Sequence, residues 1–110
     1  MPLSPLQLAF ESRARAFLAS HPQIRHEWRD VTSRWWGSRR DLICAPGDSN
    51  EIFASLTRDQ LTVGATRGDH EDFEDFGRGL SDDALADQAF GHFVDLIVRA
   101  GYLAPRPGEG

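Results

Sequence analysis

Side chains able to bind a metal or move a proton gather in one stretch, His70-Glu71-Asp72-Phe73-Glu74-Asp75-Phe76-Gly77-Arg78-Gly79, two Glu-Asp-Phe units back to back. One histidine and four carboxylates within six residues are donors of the kind that hold a metal, and paired carboxylates can divide acid and base work in hydrolysis. The spacing supports neither. A zincin helix requires His-Glu-x-x-His, whereas Glu74 stands four residues after His70. A calcium loop counted from Asp69 would set Glu74 where glycine must turn and Leu80 where a bidentate glutamate must bind. No Gly-x-Ser-x-Gly elbow, phosphate-binding glycine loop or dinucleotide fingerprint accompanies the acids. The reading expects no metal, no cofactor and no catalysis.

Other reactive residues are isolated. Cys44 lies inside an apolar run, where a thiol is expected to be a buried core residue, and a single cysteine forms no internal disulfide. His21, His26 and His92 lack ligand spacing. Arg67-Gly68-Asp69 reads as a tight turn in which Gly68 takes positive φ. Trp35-Trp36 must send two rings in different directions. With Arg34, Arg39 and Arg40 they have the composition of a contact surface, or else they cover the end of a sheet while the arginines pair with the acidic stretch.

Charge narrows the partner. All twelve basic residues are arginine. Residues 1–40 hold seven against three acids, while residues 41–110 hold five against fourteen, so the net −5 is concentrated in the C-terminal part. Asp69, Glu71, Asp72, Glu74, Asp75, Asp82, Asp83 and Asp87 place eight acids within nineteen residues. Such a balance argues against nucleic acid, whose phosphates need cationic contacts, and for a protein that either needs no charged partner or attracts a basic one. No apolar run approaches the length that spans a bilayer, and Met1-Pro2-Leu3-Ser4-Pro5-Leu6 lacks the basic-then-apolar order of a leader. The expectation is a cytoplasmic chain with no membrane or nucleic-acid partner.

The elements that must position these residues are an α+β set within one domain, residues 1–104, followed by a flexible tail, 105–110. Ser4-Pro5-Leu6-Gln7 is a capping box with proline at the first helical position, and Leu6, Phe10, Phe17 and Leu18 carry the helix to His21-Pro22. Ile24, Trp28, Val31 and Trp35 fit one stripe of a second helix, although the valine, threonine and tryptophans of residues 23–36 also suit a strand. Asp41–Ala45, Glu51–Leu56 and Leu61–Thr66 read as three strands joined by short turns, a three-stranded antiparallel meander. Ser81 caps a last amphipathic helix that runs to about Ala100 and ends at Gly101, with Leu80 stapled onto Leu85. The helices are expected on the apolar face of the sheet. Phe73 and Phe76, three apart, are expected to pin an acidic loop to the core and turn its carboxylates outward.

From the strands at Asp41-Leu42-Ile43-Cys44, Glu51–Leu56 and Leu61–Gly64, through the acidic His70-to-Gly79 stretch, to the closing helix, the chain resembles the small acidic immunity proteins of bacterial polymorphic-toxin and contact-dependent competition systems. That resemblance implies a protein without catalysis of its own that blocks a toxin by presenting acids to a basic cleft. The candidate contact residues are Asp69, Glu71, Asp72, Glu74 and Asp75, helped by Trp35, Trp36, Arg39 and Arg40. The alternatives are a small enzyme or ligand-binding protein with a pocket between sheet and helices, and a chaperone or adaptor for a secreted effector.

Overall fold

The computed structural model describes residues 3–34 and 37–103. The Trp35-Trp36 pair and the expected tail at 105–110 lie outside the described residues. Helix α1, Pro5–Ser20, starts where the capping box places it: Ser4 Oγ accepts from the Gln7 amide, and Gln7 Oε1 accepts from the Ser4 amide. The strands are β1 (His26–Ser33), β2 (Gly37–Cys44), β3 (Asn50–Leu56), β4 (Leu61–Arg67) and β5 (His70–Phe76), and helix α2 spans Asp82–Arg99. All five strands lie in sequence order in one antiparallel meander.

Among the described residues the sheet therefore has five strands and not three, and of the two readings open for residues 23–36 the strand holds, leaving one helix before the sheet. Residues 26–33 are extended because every position finds a partner on β2, from His26 opposite Cys44 to Ser33 opposite Gly37. The stripe that suggested a helix was ambiguous, since Ile24 and Trp28 differ by an even number and share a face in either backbone. His70–Phe76 is likewise a strand and not a loop. Gly68, at φ 59°, and Asp69 form the two-residue turn that folds it back on β4 with Arg67 opposite His70.

Directly opposed residues in an antiparallel ladder share a face, so the register sorts the side chains. One face carries the rows Trp28–Leu42–Ala54–Val63–Glu74 and Asp30–Arg40–Leu56–Leu61–Phe76. Both helices cover it. Leu42, Ala54, Leu56, Leu61 and Val63 are buried there with Leu6, Phe10, Ala14 and Leu18 of α1 and Leu85, Ala89, Phe93 and Ile97 of α2. Phe10 meets Phe93 edge-on with ring centroids 5.9 Å apart, joining the helices over the sheet. The other face carries Glu27–Ile43–Phe53–Gly64–Phe73 and Arg29–Asp41–Ser55–Thr62–Asp75.

Ser81 Oγ accepts from the Ala84 amide at the start of α2, Asp82 and Asp83 occupy its first turn, and Gly101 takes φ 86° just beyond its end. Leu80, expected to staple that helix, is instead exposed. No helix among the described residues is long and apolar enough to cross a membrane.

Candidate functional site

β5 is the last strand of the sheet, so one side of its backbone pairs with β4 and the other is open. From His70 to Asp75 all its residues are exposed. Alternation divides the carboxylates: Glu71 and Asp75 stand with Phe73 on the uncovered face, while Asp72 and Glu74 stand with Phe76 on the helix side. Asp69 sits in the adjoining turn.

Of the two phenylalanines only Phe76 anchors the segment. It packs against the core beside His92, with ring centroids 5.9 Å apart. Phe73 is 59% exposed, which overturns the expectation that both rings pin the segment. The reason is the strand: residues three apart fall on one side of a helix but on opposite faces of a sheet. Phe73 belongs to a row in which the neighbouring glycine is required. A Cβ at Gly64 would lie 2.3 Å from the Asp72 carbonyl oxygen and 2.7 Å from both Phe53 Cζ and Phe73 Cβ. The Phe53 ring thus crosses over Gly64 toward Phe73.

Elsewhere several acids are matched by arginine. Arg13 meets Asp83 at 2.7 Å, Arg25 meets Asp48, Arg39 meets Asp41 and Arg99 meets Asp95. On β5 the ion-pair neighbours among the described residues are histidines only, His70 beside Asp72 at 3.2 Å and His92 beside Glu74 at 3.9 Å. Asp75 accepts from Thr62 Oγ1. Among the described residues the negative charge of this edge is therefore largely uncompensated, which makes it a strong local field.

The arginines of the other candidate segment are placed differently. Arg40 points to the helix side, where Nη1 donates to Glu11 at 2.7 Å while Nε and Nη2 donate to both oxygens of Asp30 at 2.7 and 3.1 Å. Hydrogen bonds donated to Asp30 and then to Glu11 push the Arg40 pKa further up, and the same contact with Arg40 holds Asp30 below the ordinary carboxylate range. This clamp joins α1, β1 and β2. Arg39 is on the opposite face. Neither arginine pairs with the acidic strand, because β3 and β4 separate β2 from β5 by about 14 Å, three strand spacings. Arg39 and Arg40 are therefore not continuous with the acidic strand.

A cleft of about 740 Å³ opens where the start of α1, the β1–β2 end and the β3–β4 turn meet, lined in part by Gln7, Asp30, Arg39, Arg40, Arg58 and Asp59. It is the feature sequence reading missed. Its residues come from three separate segments, and no local spacing connects them. It is not the pocket expected between sheet and helices, and neither Cys44 nor His70 lines it. Cys44 is fully buried, and burial pushes its thiol up to about 12, leaving a protonated sulfur with no approach for a substrate. Among the described residues no group of three or more His, Cys, Asp and Glu side chains converges as a metal site.

No family model, curated protein or solved structure matches the chain. Its function must be argued from its own surfaces.

Proposed function

We propose that this protein is a non-catalytic binding domain that engages a basic protein partner through the β5 edge, and that its role is the immunity type: inhibition of a bacterial toxin or effector by occlusion. The observation that carries the reading is the contrast in charge matching. Glu71, Asp72, Glu74 and Asp75 are exposed on both faces of one terminal strand and meet no arginine there among the described residues, while several acids elsewhere do. A field of one sign accelerates encounter with a cationic surface and orients it, even where each exposed pair adds little affinity. Phe73, exposed amid those acids, supplies the apolar contact that a charged rim lacks.

The test is co-expression with the product of the adjacent gene, scored by growth and co-purification. Rescue with a stable complex supports the reading. Replacing Glu71, Asp72, Glu74 and Asp75 with arginine should weaken that complex at least tenfold and flatten its salt dependence. Unchanged binding and salt dependence would remove the surface from the proposal.

The cleft favours a second reading, capture of a small polar ligand. Its polar lining suits that role, but Arg40 there is already engaged by Asp30 and Glu11. Saturable binding of a small molecule that is lost in Arg58→Ala and retained after charge reversal on β5 would support this reading over the first.

A further inference from the structure

We propose that a second copy of this chain pairs with the first along β1, antiparallel and centred on Trp28, to make one continuous sheet of two five-stranded halves. This inference does not depend on the proposed function. It starts from an edge strand with only part of the usual protection. Exposed edges are commonly guarded by proline, a bulge or charged side chains, because their free N–H and C=O groups template pairing with another chain. The charges on β1 are of both signs, so they can match those of a second copy. β1 has no proline and an unbroken register with β2 over its eight residues. The Ala45 amide donates to the Arg25 carbonyl, which fixes the phase of the ladder. By alternation the amides and carbonyls of His26, Trp28 and Asp30 turn away from β2 toward the open edge.

Symmetry then restricts the register. A two-fold axis normal to the sheet keeps each face on its own side, and opposed residues share a face, so the axis must pass beside a residue that faces its own copy. Centring on Glu27 sets Glu27 against itself and Arg25 against Arg29. Centring on Arg29 or Asp30 sets that charge against itself. Centring on Trp28 places Glu27 opposite Arg29 of the second copy twice on the uncovered face, and His26 opposite Asp30 twice on the helix side, with Trp28 at the axis. No like charges face each other in that register, and, unlike registers centred on His26, Val31 or Thr32, which also avoid them, it sets opposite charges of β1 itself face to face. Of these flanking residues His26, Arg29 and Asp30 are exposed and Glu27 is partly so, and Glu27 and Arg29 already pair within the strand of a single chain, so their side chains need only exchange partners.

The helix above is compatible with that approach. Glu11 and Arg15 reach from α1 to the β1 side, Arg15 lying 4.5 Å above the Trp28 ring. Leu8, Ser12 and Ala19 share a side of α1 with Arg15 and are exposed. β5 offers no such pairing. Any register centred from Glu71 to Asp75 faces an acid with itself or, centred on Phe73, faces Asp72 with Glu74 and Glu71 with Asp75. The second copy therefore belongs at β1, and β5 remains outermost at both ends of the joined sheet.

Sedimentation equilibrium of the full chain at rising micromolar concentration tests this. The mass should climb from 12.3 kDa toward twice that value. Glu27→Arg and Arg29→Glu should each weaken self-association at least tenfold, since each sets like charges across the axis. An equimolar mixture of the two variants should recover association, because one chain then carries arginine at both positions and faces glutamate at both positions of the other. The double exchange Glu27→Arg with Arg29→Glu should associate as the unmodified chain does, and it controls for folding. A chain that stays at 12.3 kDa, a dimer indifferent to either single change, a mixture that stays monomeric, or assembly that continues past the dimer would each overturn the proposal.

Discussion

β1 and β5 hold equivalent places at the two ends of one sheet, yet the molecule secures them differently. β1 is tied to the helix layer by the Arg40 clamp on Asp30 and Glu11 and by Arg15 over Trp28. β5 is held by its ladder with β4, by the close approach of its backbone to Gly64, and by Phe76. Its other side chains face solvent. One edge is mixed in charge and can match itself. The other is acidic throughout and repels a copy. Equivalent positions in a meander are thus assigned to different tasks by side-chain charge, the backbone being the same.

If β5 depends on that backbone approach, the largest effect should come from Gly64→Val. Its Cβ alone would fall 2.3 Å from the Asp72 carbonyl oxygen, and backbone oxygen cannot move aside as a flexible side chain can. A loss of about 3 kcal/mol or more is expected, at the upper end of overpacking changes, because the ladder must separate. Urea denaturation measures it, and amide exchange should show β5 released before β1. A variant as stable as the unmodified chain would mean that Gly64 is not what seats β5.

The two phenylalanines divide the strand more finely. Phe76→Ala removes a ring packed on the core and should destabilise by about 2 kcal/mol, whereas Phe73→Ala should stay within about 0.5 kcal/mol. Equal losses would restore the idea that both rings anchor the segment. In the proposed complex the order should reverse, with Phe73→Ala weakening partner binding more than Phe76→Ala.

This contrast also marks how far the fold was legible. The Ser4 capping box, the Ser81 cap, the Gly68 turn and the three central strands are local signals, written in adjacent residues, and the structure contains each. The edge strands were not legible for opposite reasons. In β1 the spacing of Ile24 and Trp28 satisfies both a helix and a strand, and only pairing with β2 decides. In β5 four carboxylates carry low strand propensity, and the ladder with β4 overrides it. The acids of the candidate site were visible as residues. Their division between two faces depends on strand phase, which the sequence hid by offering Phe73 and Phe76 at helical spacing. The 740 Å³ cleft and the Arg40 clamp join segments far apart in the chain and left no local trace.

The clamp gives the smallest loss among the anchoring contacts and the most specific one, because it should be visible in the pH dependence of stability. Arg40→Ala leaves Glu11, itself largely screened from water, with Arg15 as its remaining cationic neighbour and removes the hydrogen bonds to Asp30, and a loss of about 1–2 kcal/mol at neutral pH is expected. Asp30 is held below its ordinary value near 3.8, chiefly by the hydrogen bonds from Arg40. A carboxylate whose pKa is lower folded than unfolded binds fewer protons in the native state. Its contribution is therefore present above the unfolded pKa and fades as pH falls through 3.8 toward the folded value. The difference in melting temperature between the unmodified chain and Arg40→Ala should narrow over that acid range, with Asp30→Asn largely removing the narrowing. A difference that stays constant with pH would mean that Arg40 holds β1 through packing, not through the charge of Asp30, and the β1 edge would then owe its placement to the same kind of force that seats β5.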